Sequence, residues 1–212
     1  MYDLNKKFIF THPPKCGGTS IESILGFLTL RETYPQVHAF KHGSLEMHVD
    51  AIKLKNFPED EFFKFSIIRN PWDRAVSFYN HNKYKEFNYY ANEAKDKEIP
   101  KHVKDSKEIT FKQFAFKYFK INFNSDVVTK PFMFLQEKFS LDHVLKLESI
   151  NDGLFSIKDK LKINSDLNIP HLNNTDEYTI RENYQKYYDN GTKYLIQDLF
   201  KWDIETFGYK FD

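Results

Sequence analysis

The sequence has little cysteine, no long apolar run and almost no net charge. Cys16 is the single cysteine among 212 residues, so the chain cannot form an internal disulfide and gives no support for an oxidising compartment. No apolar run reaches the roughly 20 residues that a membrane-spanning helix needs, and no signal-peptide pattern precedes the first predicted strand. These absences lead us to expect a cytoplasmic protein without a membrane span.

The balance of charges argues against one large class of partners. With 31 basic and 30 acidic residues the net charge is +1, whereas binding nucleic acid through bulk electrostatics requires a clearly basic surface. We therefore expect no nucleic-acid partner. The length suits a single domain, 1–212, and the 22 Phe and 13 Tyr predict a core rich in aromatic side chains.

A strand, a loop and a helix are predicted near the start of the chain. The apolar run Phe8–Phe10 is aromatic and β-branched and is followed by two prolines, as expected of a buried strand. Beyond the loop, apolar residues recur at the spacing of one helical face at Ile21, Ile24, Leu25 and Leu28. A loop in this position can direct backbone N–H groups at an anion.

The composition of this loop favours a phosphate ligand. Gly17 and Gly18 let the backbone turn and approach a ligand closely, and Lys15 adds a positive charge. Thr19 and Ser20 supply hydroxyl groups, which could equally cap the helix after an ordinary tight turn. A second alternative is that Cys16 is a nucleophile with a lowered pKa, although no base is placed beside it by the local sequence.

Three histidines follow within a short stretch, at positions 38, 42 and 48. Their spacings of four and six residues do not give the pattern of a helical zinc site, and no cysteine joins them. They are either surface residues or include a catalytic base, and we expect no metal.

A second strand and helix repeat the opening arrangement. Phe63–Ile68 is predicted to be a strand, Asn70 to cap the next helix, and Pro71 to occupy its first turn. Trp72, Ala75, Val76 and Tyr79 form its predicted buried stripe. Arg69 comes at the end of the strand, and Arg74 is expected to be a structural residue. Two such units predict an α/β fold with a parallel sheet whose site lies at the carboxyl ends of its strands.

With both of these segments, the sequence resembles a known enzyme family, the sulfotransferases that use 3′-phosphoadenosine-5′-phosphosulfate (PAPS). Two segments carry the resemblance: the loop Pro14-Lys15-Cys16-Gly17-Gly18-Thr19-Ser20, similar to the family's 5′-phosphosulfate loop, and Ile68-Arg69-Asn70-Pro71-Trp72-Asp73-Arg74-Ala75-Val76-Ser77-Phe78-Tyr79, similar to its 3′-phosphate motif. Further similarity lies in Lys41-His42-Gly43-Ser44, in 171–175 and in 203–209. The closest likeness is to the carbohydrate (Golgi-type) and bacterial branch.

The resemblance implies a fold, a reaction and a set of site residues. The fold would be P-loop-like, with three layers and a central parallel β-sheet flanked by helices. The reaction would move a sulfuryl group from PAPS to an acceptor hydroxyl, on a carbohydrate or small molecule, leaving the bisphosphate PAP. The implied donor-binding residues are Lys15, Cys16, Gly17, Gly18, Thr19, Ser20, Arg69 and Ser77, with Cys16 a loop member rather than a nucleophile.

Catalysis by in-line transfer requires a cation at the leaving group and a base at the acceptor. Lys15 is the predicted leaving-group stabiliser. His42 is the first candidate for the base because it lies in the Lys-His-x-Ser stretch; His48 is the second and Glu22 the third. We expect the reaction to need no metal.

Two other functions remain open for this sequence. A P-loop kinase or NTPase would place its lysine after the glycines, whereas Lys15 precedes them. A nucleotide-binding homologue without activity would keep the same motifs.

The rest of the chain is predicted in less detail. Residues 83–107 are an acceptor lid or an insertion. Helices are expected after Thr110 and over 154–163, 176–188 and 191–207, with Trp202 in the core. A strand is expected over 142–147, ended by a turn at Ser149–Gly153.

Overall fold

A computed structural model of the chain describes residues 1–27, 42–84, 99, 101–119, 140–163 and 183–212. They belong to two compact units. The first unit comprises Met1–Arg69 and Phe132–Asn173, and the second comprises Asn70–Pro131 and Asn174–Asp212. Several residues named in the sequence analysis lie outside the described residues: Leu28, His38, Lys41, most of the lid or insertion 83–107, and the segment 171–175.

The first unit contains a sheet of four strands in the order β1-β2-β3-β4. The strands are β1 Tyr2–Asp3, β2 Phe8–Thr11, β3 Phe63–Ile68 and β4 His143–Lys146. β1 pairs antiparallel with β2, whereas β2, β3 and β4 are mutually parallel. The three strands predicted from apolar runs are therefore confirmed, and so is the α/β class with its parallel sheet. The short antiparallel edge was not predicted.

Eight α-helices lie in the described part of the chain. In chain order they are α1 Gly18–Ile24, α2 Leu45–Lys53, α3 Pro71–Tyr84, α4 Lys101–Glu108, α5 Phe111–Phe114, α6 Ile150–Ile157, α7 Asn190–Leu199 and α8 Lys201–Phe207. Short 3-10 turns occupy Glu59–Glu61, Leu147–Ser149 and Tyr184–Tyr187, and a π-helical turn occupies Ala115–Phe119. No helix in these described segments is both long and apolar enough to cross a membrane.

Helices cover both faces of the sheet because its strands are apolar on both sides. Successive side chains of a strand point to opposite faces. Phe8 and Phe10 pack in one cluster with residues of α1 and α6, while Ile9 packs in another with residues of α2. The fully buried β2 is thus the centre of a helix–sheet–helix arrangement, which is typical of parallel sheets.

The second unit is helical and has its own aromatic core. α3 buries the predicted stripe of Trp72, Ala75, Val76 and Tyr79. Its start is capped as predicted, since the Oδ1 of Asn70 accepts a hydrogen bond from the backbone N–H of Trp72 at 3.1 Å. Arg74 is buried and its guanidinium lies 5.5 Å from the ring centroid of Phe200, which supports a structural role.

The helix after Thr110 is confirmed with a capping box. The Thr110 side chain accepts from the backbone of Gln113, whose own side chain accepts from the backbone of Thr110. By contrast, the segment 101–107, read from sequence as lid or insertion, contributes to α4, which buries Val103 and Ser106.

Three predictions about helices and turns are wrong. The predicted turn at Ser149–Gly153 is largely inside α6, which ends before the predicted 163. Gly153 does not turn the chain there; it allows close packing, because a Cβ at this position would lie 2.7 Å from Leu145 Cδ2. The predicted helix over 176–188 is, in its described part, the 3-10 turn Tyr184–Tyr187.

The last predicted helix, 191–207, is two helices separated at Phe200. Phe200 leaves the helical conformation, with φ −107° and ψ 25°, and its side chain is buried. Trp202, expected in the core, is instead 39% exposed. Because the backbone at Phe200 is not helical, the side chains of α8 do not continue the faces of α7, and a pattern read as one continuous helix cannot anticipate this.

Candidate active site

The loop after β2 is held in an unusual backbone conformation. Gly17 has φ 77° and Lys15 has φ 69°, so both lie in the left-handed region. For a residue with a side chain this conformation costs roughly 1–2 kcal/mol. The contacts around the loop must therefore stabilise Lys15 in a position that its own backbone disfavours.

The two loop glycines are required by contacts underneath the loop. A Cβ on Gly17 would lie 2.6 Å from Leu147 Cδ1, and one on Gly18 would lie 2.2 Å from the ring of His12. From the sequence, these glycines are expected to allow the approach of a ligand. The structure gives them a further reason, because the chain's own side chains press against the loop.

A buried histidine and glutamate lie beneath this loop. The Nε2 of His12 is 2.9 Å from Oε1 of Glu22, and the two side chains are 2% and 0% exposed. His12 also stacks on Phe10 at a centroid distance of 5.2 Å. The pair joins the end of β2 to α1, and because Glu22 is enclosed it supports the loop rather than offering a surface carboxylate.

Sequence reasoning did not single out His12. The predicted strand ended at Phe10, and Glu22 was only the third candidate for the base. The available signal was a histidine directly after an apolar strand, with a glutamate about one turn into the helix that follows the loop.

The first candidate base lies next to His12. The ring of His42 meets the ring of His12 edge to face, with centroids 4.8 Å apart. Its neighbour Gly43 is fixed to the end of β2, since Thr11 Oγ1 donates to the Gly43 carbonyl at 2.7 Å. Ser44 then caps α2 by accepting from the backbone N–H of Met47. His42, Gly43 and Ser44 are therefore held close to the strand that leads into the loop.

The second candidate base has different surroundings. His48 is buried in α2, with Nε2 2.7 Å from the N-terminal ammonium of Met1. Burial, then the positive charge of that ammonium, then His12, hold the pKa of His48 far below its usual range. His48 is thus a neutral imidazole enclosed by protein.

Arg69 links the two sequence motifs inside the first unit. It follows the last residue of β3, and its Nη1 donates to the carbonyl of Lys15 at 3.1 Å. β2 and β3 are parallel neighbours, with Thr11 opposite Ser66, so their carboxyl ends meet at one edge of the sheet. The predicted meeting of the loop and the end of the second strand is therefore present.

The other predicted donor-binding residues differ in exposure. Cys16 and Ser20 are buried, whereas Thr19 is half-buried. The Ser20 backbone N–H donates to the Gly17 carbonyl at 3.1 Å, so it closes the turn. Ser77 lies on α3 in the second unit and is half-buried there. Its predicted role in binding the donor stays a prediction.

Comparison with known proteins identifies the family. A profile described as the sulfotransferase family matches residues 1–210. The chain belongs to the sulfotransferase family. Comparisons with curated proteins and with solved structures gave no significant match. The family membership rests on nearly the whole chain, and it makes the enzyme a sulfotransferase by class.

The crowding under the loop of this sulfotransferase gives a matched pair of variants. Gly17 and Gly26 have similar positive φ values, 77° and 81°, but nothing lies within 4 Å of a Cβ built on Gly26. We expect Gly26→Ala to lower the free energy of unfolding by about 1–2 kcal/mol, the cost of the backbone conformation alone. Gly17→Ala should lower it further, because Leu147 must also move.

Urea denaturation of the two variants measures this difference. Equal losses of stability would mean that Leu147 does not restrain the loop, and the packing described here would then not be what fixes its conformation.

Proposed function

We propose that this protein transfers a sulfuryl group from PAPS to an acceptor hydroxyl, with carbohydrate as the acceptor class. The observation that carries the proposal is the hydrogen bond from Arg69 to the Lys15 carbonyl, which joins the two motifs typical of PAPS-dependent members at one edge of the sheet. The family profile over 1–210 supports the same reading. The choice of carbohydrate rests on the likeness of the motifs to the carbohydrate and bacterial branch.

The residues around the loop fit a donor that carries phosphate at both ends. The Arg69 guanidinium lies against the backbone of Lys15, so the loop that carries the lysine and the arginine at the strand end are neighbours. A guanidinium binds phosphate oxygens in a bidentate way that an ammonium cannot. The half-buried Thr19 offers a hydroxyl at the start of α1. This set suits a 5′-phosphosulfate at Lys15 and a 3′-phosphate at Arg69.

The role of Lys15 follows from the charge that the reaction develops. The bond between sulfur and the 5′-phosphate oxygen breaks, and a bond between sulfur and the acceptor oxygen forms. Negative charge grows on the departing phosphate, so a fixed ammonium there stabilises the transition state more than the ground state. The donor supplies the activated sulfuryl group.

His42 is the proposed base that takes the acceptor's proton. A neutral imidazole suits proton abstraction near neutral pH. His42 is only partly buried and lies against His12, whereas His48 is 1% exposed and so is poorly placed to meet a bulky acceptor. The His12–Glu22 pair would hold the His42 ring beside the loop.

Nucleotide binding tests the proposal without knowledge of the acceptor. We expect PAP, added without metal, to raise the thermal unfolding midpoint of the protein, because a ligand that binds the folded state stabilises it. ATP with magnesium should give a smaller shift. Stabilisation by ATP with magnesium but not by PAP would instead favour a kinase or NTPase. Lys64→Ala, which removes a cation from the opposite end of β3, serves as a control and should respond as the wild type does.

A further inference from the structure

Arg69 contacts the backbone of the loop itself. The acceptor of its hydrogen bond is the carbonyl of Lys15, the residue with the left-handed backbone. A residue in that conformation persists only where its surroundings fix it. A charged donor on its carbonyl is a strong restraint of this kind, because hydrogen bonds from charged groups are stronger than neutral ones.

The contact also crosses between two elements that are far apart in sequence. Arg69 directly follows β3, which pairs in parallel with both β2 and β4, so the backbone that carries its side chain is held by a neighbouring strand on each side. Lys15 lies in a loop that leaves β2 at Thr11. Arg69 therefore fixes the position of the loop relative to the edge of the sheet.

We propose that Arg69 is a positioning residue for the Lys15 loop, in addition to its role toward the donor's 3′-phosphate. The five N–H donors of a guanidinium allow it to serve a carbonyl and a phosphate at once. Binding at the 5′ end of the nucleotide then depends on Arg69 even for a ligand that has no 3′-phosphate. This inference rests on the proposed function, since it assumes that the loop binds the 5′ end of the donor.

Two ligands separate the two roles of Arg69. PAP carries both phosphates, whereas adenosine 5′-monophosphate (AMP) lacks the 3′-phosphate. If Arg69 acts only on the 3′-phosphate, Arg69→Ala leaves the affinity for AMP unchanged. If it also holds the loop, Arg69→Ala lowers the affinity for AMP by about tenfold, as expected for the loss of one charged hydrogen bond. It then lowers the affinity for PAP by at least about a hundredfold, because the contact with the 3′-phosphate is lost as well.

Two further variants make the comparison specific. Arg69→Lys keeps a donor for the Lys15 carbonyl but loses the bidentate geometry, so we expect affinity for AMP within about twofold of the wild type and a clear loss for PAP. Lys64→Ala is the matched control, because Lys64 lies at the opposite end of β3 and its Nζ also donates to a backbone carbonyl, that of Phe62, at 3.3 Å. It should change neither affinity.

The experiment is calorimetric titration of AMP and PAP into the wild type and the three variants, with hydrogen exchange of the peptide covering 12–20 measured in the absence of nucleotide. We expect faster exchange of that peptide in Arg69→Ala and wild-type exchange in Lys64→Ala. Unchanged exchange together with unchanged AMP affinity in Arg69→Ala would overturn the positioning role alone. Failure of the wild type to bind PAP would overturn the proposed function, and the inference with it.

Discussion

Replacing Lys15 with alanine is expected to lower kcat by roughly 100- to 1,000-fold, the usual cost of removing one fixed group that stabilises developing charge. The side chain is lost from the place where we expect charge to grow on the departing phosphate. The backbone changes little, because alanine and lysine pay a similar penalty for the left-handed conformation at this position. The variant should therefore lose most of its turnover while keeping most of the wild type's free energy of unfolding.

A second lysine provides the control for this experiment. Lys162 also has a positive φ, 52°, and its Nζ donates to the Asn5 carbonyl at 3.4 Å on the surface of the same unit. Lys162→Ala removes a left-handed lysine of similar geometry outside the site, and its turnover should match the wild type. If Lys15→Ala kept wild-type kcat while Lys162→Ala did too, Lys15 would not be the group that stabilises the leaving phosphate.

Replacing His42 with alanine is expected to remove most of the turnover, by roughly 100-fold or more, as for the loss of a general base. PAP affinity should stay close to that of the wild type, because His42 is proposed to meet the acceptor rather than the donor. The ring lies 4.8 Å from the ring of His12, so its removal leaves the buried His12–Glu22 pair in place. Steady-state kinetics and PAP titration on the same preparation measure both quantities.

Two other histidines sharpen this test. His48→Asn should mainly lower stability, because the His48 imidazole is buried and hydrogen-bonded to the N-terminus of Met1. The control is His143→Ala on β4, which removes a half-buried histidine with no proposed role. Full turnover in His42→Ala combined with lost turnover in a stable His48→Asn would transfer the role of base to His48.

The local features of the fold follow from the sequence because they depend on neighbouring residues. Phe63–Ile68 is rich in aromatic and β-branched residues and is followed by the polar Arg69 and Asn70, and its limits as a strand match the prediction. Asn70 and Thr110 cap helices as their side-chain chemistry suggests. Because the carboxyl ends of parallel strands meet at one edge of the sheet, the sequence also predicts that Arg69 lies near the Lys15 loop, as the structure shows.

The features that were missed depend on contacts between distant parts of the chain. Gly153 lies in a sequence typical of a turn, but in the structure it is part of a helix. A glycine is needed there because Leu145 of β4 leaves no room for a side chain. The pairing of His12 with Glu22 and the left-handed backbone of Lys15 have no local signal, since both are fixed by residues from other elements. The last predicted helix is interrupted at Phe200, whose ring packs in the core of the second unit.

The measurement that tests the central claim most directly is a competition between two labelled donors. The protein is incubated with PAPS labelled in its sulfuryl group and with magnesium and ATP labelled in its γ-phosphate, together with pools of carbohydrate and small-molecule acceptors. Our account predicts that sulfur label appears on an acceptor, that the γ-phosphate label does not, and that Lys15→Ala slows the transfer by roughly 100- to 1,000-fold. Transfer of the γ-phosphate label, or retention of all sulfur label on the donor with every pool, would contradict it.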